Sequence, residues 1–172
     1  LFTVTSGAWS ADPWGYIVIP KGKPIKIGFG AALSGDYATL GMGERNGVEM
    51  AVAEKGSIKG FAIELEIGDD QCEGAPSVAL AERFGADPLV VGVIGFMCSG
   101  GSIPASDVLN RYKKVMISPS STADAFTARG LQNVFRTCWN DRIQGRVAAE
   151  FALKQGWKEA AILHDKSAYG QG

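Results

Sequence analysis

Leu89-Val90-Val91-Gly92-Val93-Ile94-Gly95-Phe96-Met97-Cys98-Ser99-Gly100-Gly101-Ser102 is the stretch that decides the fold. Leu89 to Phe96 is almost wholly apolar and too short to span a bilayer, the pattern of a central strand buried on both faces. A tight Gly/Ser run follows. It leads straight into Ser102–Tyr112, an amphipathic helix through Ala105, Val108, Leu109 and Tyr112, with Pro104 tolerated in its first turn.

The same unit recurs on both sides. Upstream, Ile25–Gly30 reads as a strand and Gly41–Lys55 as a helix through Val48, Ala51 and Val52. After a turn at Gly56–Gly60, Ala62–Ile67 alternates as a strand ending at Asp69-Asp70, and Ala75–Ala86 is a helix with Leu80, Ala81 and Phe84 on one side. Downstream come a strand at Val115–Ser118, a helix capped by Asp141 through Ile143, Val147 and Phe151, and a last strand at Ala160–Leu163. Residues 1–24, rich in Gly and Pro, form an irregular lead-in with room for a short strand at Tyr16–Ile19. Alternating strands and helices predict a doubly wound α/β fold: a parallel sheet with right-handed crossovers and helices on both faces. Ligands of such sheets sit beyond the C-terminal strand ends. That singles out loops 31–40, 69–74, 97–102, 119–123 and 165–170.

Composition narrows the function. The 172 residues are 46% hydrophobic and 20% charged, with net charge −1, ordinary for a globular chain and without the basic footprint of a nucleic-acid or anionic-membrane binder. Leu1–Gly15 lacks the basic start and long apolar run of a secretion signal. Three cysteines and one histidine form no metal pattern, and no cofactor motif is present. Gly28-x-Gly30 lacks the third glycine of a dinucleotide fingerprint, since Leu33 stands there. Ser99 is outside a G-x-S-x-G elbow because Met97 takes the first glycine position, and His164 reads as a sheet-end residue. Asp69-Asp70 reads as a solvated turn.

Two loops are suited to gripping an anion. Ser99 and Gly100 lie where free amides and the helix dipole point at a ligand; the other reading is plain turn and cap chemistry. Loop 119–123 adds the hydroxyls of Ser120, Ser121 and Thr122, and neither loop holds a strong base, which suits binding better than bond breaking. Cys72 and Cys98 follow consecutive strands. If paired, they close a loop of about 27 residues worth about 3.5 kcal/mol by chain entropy; otherwise they are two thiols, and Cys138 is left over.

These residues, in this order, resemble the type I periplasmic binding proteins, and among them the branched-chain amino-acid-binding (Leu/Ile/Val) proteins of ABC importers. The likeness runs from Ala32-Leu33-Ser34-Gly35 and Gly41 through Asp69-Asp70-Gln71-Cys72, Cys98-Ser99, Pro104-Ala105-Ser106-Asp107, Ser118-Pro119-Ser120-Ser121-Thr122, Thr127-Ala128-Arg129-Gly130 and Arg136-Thr137 to His164-Asp165-Lys166 and Tyr169-Gly170. It implies a disulfide between Cys72 and Cys98. It also implies a carboxylate clamp of the Ser99 hydroxyl and amide with the Thr122 amide. The ligand ammonium would meet the Ser120 carbonyl and the Thr122 hydroxyl, and Tyr169 would close over the ligand from a second lobe. Leu40 replaces a tyrosine found in some members, with Tyr37 three residues earlier, and Gly100 and Gly101 replace frequent serines, which would widen the pocket. Aliphatic, aromatic and non-amino carboxylates therefore all fit.

The implied organisation is a lead-in over 1–24, an N-terminal ligand-binding lobe over 25–137, and a crossover with the start of a second, similar lobe over 138–172. The acid that pairs with the ammonium would follow residue 172, and the uncovered apolar faces would promote self-association. The implied function is a non-enzymatic, extracytoplasmic receptor, periplasmic or extracellular, with a lipid anchor as one option. It would hand an amino acid or small carboxylate to an ABC permease. A signalling ectodomain, or a Cys/Ser hydrolase using His164, are the alternatives.

Overall fold

The computed structural model describes residues 14–171. Residues 1–13, more than half of the expected lead-in, lie outside that range. Trp14 Nε1 donates to the Gln132 side chain, which ties the described end of the lead-in to the lobe. Residues 15–24 contain no strand, and Tyr16 and Val18 are exposed.

The sheet is built around β1 (Ile25–Ala31). Five strands run parallel in the order β3 (Phe61–Asp69), β1, β4 (Val90–Gly95), β5 (Val115–Ser118), β6 (Val134–Arg136). A two-residue strand, β2 (Ser57–Ile58), pairs antiparallel with β3, so the expected turn at 56–60 is a hairpin edge. The chain steps from β1 out to β3 and then crosses back to β4 on the other side of β1. That reversal opens a crevice at the strand tips.

Alternation along β1 sorts the two faces. Gly28 and Gly30 face α2 (Gly74–Ala86) and Phe96; a Cβ on Gly28 would stand 2.9 Å from the Phe84 ring, and one on Gly30 would enter the Phe96 ring. These glycines let helix and sheet approach. On this side α2 and α3 (Ser99–Arg111) pack with β4 into the main core: Leu80, Ala81, Phe84, Val90, Val93, Phe96, Ala105, Val108, Leu109, Met116, Phe126 and Val134. Each fully buried phenylalanine there contributes about 2 to 3 kcal/mol of transfer free energy. On the opposite face α1 (Ala38–Lys55) covers Phe29, Ala31, Ala32 and Met97 through Val48. Helices on both faces confirm the doubly wound fold.

That second face is only half covered. Val115, Ile117 and Phe135 alternate with the buried Met116 and Val134 and are 41%, 39% and 50% exposed. A cavity of about 350 Å³ with apolar walls, among them Ile27, Val48, Ala51, Ile63 and Ile94, lies between α1 and the sheet.

Four further elements differ from the sequence reading. The last expected strand, Ala160–Leu163, is irregular, with Ile162 and Leu163 more than 90% exposed; no described strand lies alongside to complete its hydrogen bonds. A short α4 (Asp124–Thr127) and β6 occupy what reads as loop, because three or four residues carry no periodicity of their own. The helix α5 (Asp141–Lys154) forms as expected, but its cap is Asn140, whose Oδ1 accepts from Ile143 N at 3.0 Å. Its Val147 and Phe151 stay exposed, and the Phe151 ring meets that of Trp157 edge-on at 5.9 Å.

Candidate ligand-binding site

The reversal of strand order places four loop tips around one cleft of about 760 Å³. Its walls include Tyr37, Leu40 and Glu44 from the start of α1, Gln71 to Gly74 after β3, Met97 to Gly100 after β4, and Ser120 and Thr122 after β5. Gln144 of α5 and residues 165 and 167–169 close the far side.

Asp69 and Asp70 set the first two loops. Burial raises the Asp69 pKa, but the carboxylate accepts from the Ser34 hydroxyl, the largest opposing effect, and from the amides of Leu33 at 2.8 Å and Gln71 at 3.0 Å, which together hold it below the usual range. Asp70 is wholly buried and accepts from Cys72 N and the Ser77 hydroxyl. Burial and the neighbouring Asp69 push its carboxyl up. The pair is a loop tether, not the solvated turn expected. Its bonds offset the left-handed backbone at Gln71 and Cys72, φ 52° and 65°.

Cys72 and Cys98 form a disulfide with Cα atoms 5.3 Å apart, joining the β3 and β4 tips at the cleft wall. The expected pairing is present, and a Cys98 thiol nucleophile is thereby removed. Cys138 is free and half-buried.

Helix α3 starts three residues earlier than its apolar pattern suggests, with Cys98 as N-cap and Ser99 as its first residue. The amides of Gly101 and Ser102 turn back onto the Cys98 carbonyl at 3.0 and 2.9 Å. The Ser99 and Gly100 amides, which precede any intrahelical partner, remain for a ligand. The Ser99 hydroxyl oxygen accepts from Ala123 N at 3.2 Å, leaving its own proton to donate. The β4 and β5 tips are therefore in contact.

The expected residues divide cleanly. Ser99, Gly100, Ser120, Thr122, Tyr37 and Tyr169 line the cleft together. Ser121 does not: it is buried, and its hydroxyl lies 2.6 Å from that of Ser102 and within bonding distance of the Phe96 and Met97 carbonyls. Gly100 faces open space, so its missing side chain does widen the cleft. Gly101 does not: a Cβ there would enter the Ser77 hydroxyl. His164 is exposed, accepts from Lys166 N through Nδ1, and is not among the residues that line the cleft.

Among the cleft residues that the reading missed is Glu44. It lies four residues after Leu40 and seven after Tyr37 on one face of α1, a spacing visible in the sequence. Its Oε1 is 2.6 Å from the Ser120 hydroxyl, which also lies 2.9 Å from the Met97 carbonyl, and its Oε2 is buried without a partner. Burial raises its pKa, opposed by the Ser120 bond and reinforced by Asp70.

The cleft so built has three carboxyl groups on its walls, Glu44, Glu73 and Asp165, and no Lys, Arg or His among the described residues. Residues 24–172 match the family described as "Periplasmic binding protein". The chain belongs to that family. This periplasmic binding protein is 40% identical over 154 residues to the Leu/Ile/Val-binding protein of Escherichia coli, covering 87% of this chain and 42% of that one. It is 40% identical over 152 residues to Leu/Ile/Val-binding protein homolog 3 of Brucella melitensis, covering 86% and 41%. An ABC transporter substrate-binding protein from Desulfitobacterium hafniense in complex with Leu superposes with a TM-score of 0.74 at 30% identity, over 87% of this chain and 44% of that one. A solute-binding protein of R. palustris in complex with 4-hydroxybenzoate shares the fold, with a TM-score of 0.79 at 24% identity over 87% and 41%. The chain spans about two fifths of the length of the curated relatives it matches. Among the described residues no helix is long and apolar enough to cross a membrane.

Proposed function

We propose that this chain is the ligand-gripping part of an extracytoplasmic solute-binding protein that delivers a free amino acid to an ABC permease. One observation carries the reading: the α3 start and the loop after β5 meet through Ser99 and Ala123 at the edge of a cleft without a basic side chain. The carboxylate end of a zwitterion is held by the Ser99 hydroxyl and the amides of Ser99, Gly100 and Thr122. Neutral dipoles at a helix start bind it without burying an unpaired charge. The ammonium end meets the Ser120 carbonyl and the Thr122 hydroxyl, whose oxygen is buried and unpartnered. Tyr37 and Tyr169, about half exposed, flank the opening.

The acidic walls favour an amino acid over a plain carboxylate. Glu44, Glu73 and Asp165 attract an ammonium and repel a lone anion. Residues 25–137 act as the first lobe, and 138–171 pass through the crossover into a second, whose closure the permease reads. The periplasm is the compartment that fits a disulfide-bearing member of this family.

Titration of the chain with L-leucine, L-phenylalanine and 4-methylpentanoate by NMR tests this. Shifts at the Ser99, Gly100 and Thr122 amides with the two amino acids, and weaker ones with the ammonium-free acid, support it. No response at those amides to any of the three rejects it.

A further inference from the structure

The carbonyls of the run Ser118–Ala123 are met from segment 136–141, with the Cys138 thiol also 3.5 Å from the Ser121 carbonyl and Phe126 N also donating to that of Ala123 at 3.0 Å. Thr137 N donates to the Ser118 carbonyl at 3.1 Å, and the Thr137 hydroxyl lies 3.5 Å from the Pro119 carbonyl. Arg136 Nη1 donates to the Ser121 carbonyl at 2.9 Å and Nη2 to the Ala123 carbonyl at 3.0 Å. Asp141 N donates to the Thr122 carbonyl at 3.0 Å. Only the Ser120 carbonyl is left unengaged by segment 136–141.

A trans peptide is planar, with its C=O and N–H pointing in opposite directions. Fixing a carbonyl therefore aims the next residue's amide. The Ser121 carbonyl and the Thr122 amide belong to one such unit, and it is trans. With the carbonyl turned onto Arg136, the Thr122 N–H points the opposite way, toward the cleft. The next unit shows the same rule fulfilled: Asp141 N holds the Thr122 carbonyl, and the Ala123 N–H reaches Ser99 Oγ.

We propose that Arg136 is a positioning residue of the ligand cleft, aiming the Thr122 amide by gripping the Ser121 carbonyl. This rests on the reading that the Thr122 amide meets a ligand carboxylate. The guanidinium is itself over-determined. Nη2 also donates to the Thr127 hydroxyl at 2.6 Å, and the group lies 5.4 Å from the centre of the wholly buried Phe126 ring. Its fork spans the carbonyls on both sides of Thr122, which a lysine's single ammonium does not reproduce. Arg136 also sits opposite Ser118 in the β5–β6 register, one residue before the chain turns toward α5. The residue that aims the amide therefore begins the crossover.

Arg129 supplies the control. It too donates to main-chain carbonyls, those of Ala125 and Ile103, and pairs with Asp107, yet it does not touch the 118–123 run. The experiment compares wild-type chain with Arg136→Gln, Arg136→Lys and Arg129→Gln. It measures affinity for L-leucine and for leucinamide, which lacks the carboxylate, and hydrogen exchange at the Thr122 amide without ligand. Arg136→Gln is expected to weaken leucine about tenfold, weaken leucinamide less because its neutral carbonyl is the poorer acceptor, and speed Thr122 exchange. Arg136→Lys should fall between, and Arg129→Gln should lower stability without changing the leucine-to-leucinamide ratio. Unchanged discrimination in folded Arg136→Gln and Arg136→Lys overturns the proposal, as does an equal loss in Arg129→Gln. If Arg136→Gln does not fold, the Arg136→Lys ratio decides. A wild-type chain that does not respond to leucine rejects the functional reading instead. The ligand-free exchange measurement still decides the aim of the amide.

Discussion

The main-chain amide of Ala123 donates to the hydroxyl oxygen of Ser99 across 3.2 Å. A residue at the start of α3 and one in the loop after β5 are thereby locked together, although 24 positions separate them. The bond uses the Ser99 oxygen as acceptor and directs its proton elsewhere. It also fixes the spacing between two sets of free amides, so neither loop has to be ordered when a ligand arrives.

Ser99→Ala removes a donor to the ligand and the acceptor of the Ala123 amide. Leucine affinity is expected to fall by tenfold or more and stability by about 1 kcal/mol. Ser121→Ala is the informative partner, since its hydroxyl is spent on the Ser102 and carbonyl cluster. That variant should lose stability while keeping the affinity of the folded fraction. Calorimetric titration alongside thermal melts separates the two outcomes.

Reducing the Cys72–Cys98 bond, which closes a sequence separation of 26, frees the β3 and β4 tips from each other. The loop-closure argument gives a loss of about 3.5 kcal/mol. Melting temperature under a phosphine reductant should drop well below that of the oxidised chain, and leucine affinity should drop with it. A Cys72→Ser/Cys98→Ser variant should show the same melt with no further change on reduction.

Glu44 makes stability depend on pH with a definite sign. Burial raises its folded pKa above the ordinary value of 4.5. An acid with a raised folded pKa favours the fold below its unfolded pKa, and that contribution is lost as pH rises through the folded value. Glu44→Gln keeps the shape of the protonated acid and cannot ionise. Its melting temperature relative to wild type should therefore climb between about pH 4 and neutrality. A difference that stays flat, or falls with rising pH, contradicts the assignment.

Gly100 and Gly101 are neighbours with opposite tolerances. A Cβ on Gly100 meets nothing within 4 Å, so Gly100→Ser should leave stability unchanged and narrow the cleft, lowering affinity for bulky side chains first. A Cβ on Gly101 enters the Ser77 hydroxyl, whose oxygen is 3.2 Å from Asp70 Oδ2. Gly101→Ser should cost about 1 to 3 kcal/mol. Chemical denaturation of both variants, with a ligand series from alanine to phenylalanine, reads out each effect.

Much of the architecture is legible in the chain because each long element buries one face. Leu89–Phe96 is legible as a continuous apolar run and Ala105/Val108/Leu109 and Leu80/Ala81/Phe84 by their helical spacing, and Val90, Val93 and Phe96 meet both helix faces in the main core. The β6 strand and α4 carry none, being too short for periodicity and existing because Val134 and Phe126 fill that core from outside. Ala160–Leu163 has the composition of a strand without a partner to pair with, and composition alone does not supply the ladder. At the site, Ser99, Ser120 and Thr122 were readable from strand-end loops and family motifs. Ser121 is drawn away by a hydroxyl cluster assembled from three separate segments, which no local pattern encodes.

By itself the sequence determined the alternation of strands and helices, and hence the parallel sheet and the end of it where ligands bind, because hydrophobic periodicity is a local property. Only the tertiary structure decided which hydroxyls face the cleft, that Glu44 stands in its wall, and that Arg136 grips the Ser121 and Ala123 carbonyls. Hydrogen-bond direction and burial depend on groups far apart in the chain, and their positions exist only once the sheet has brought its loop tips together.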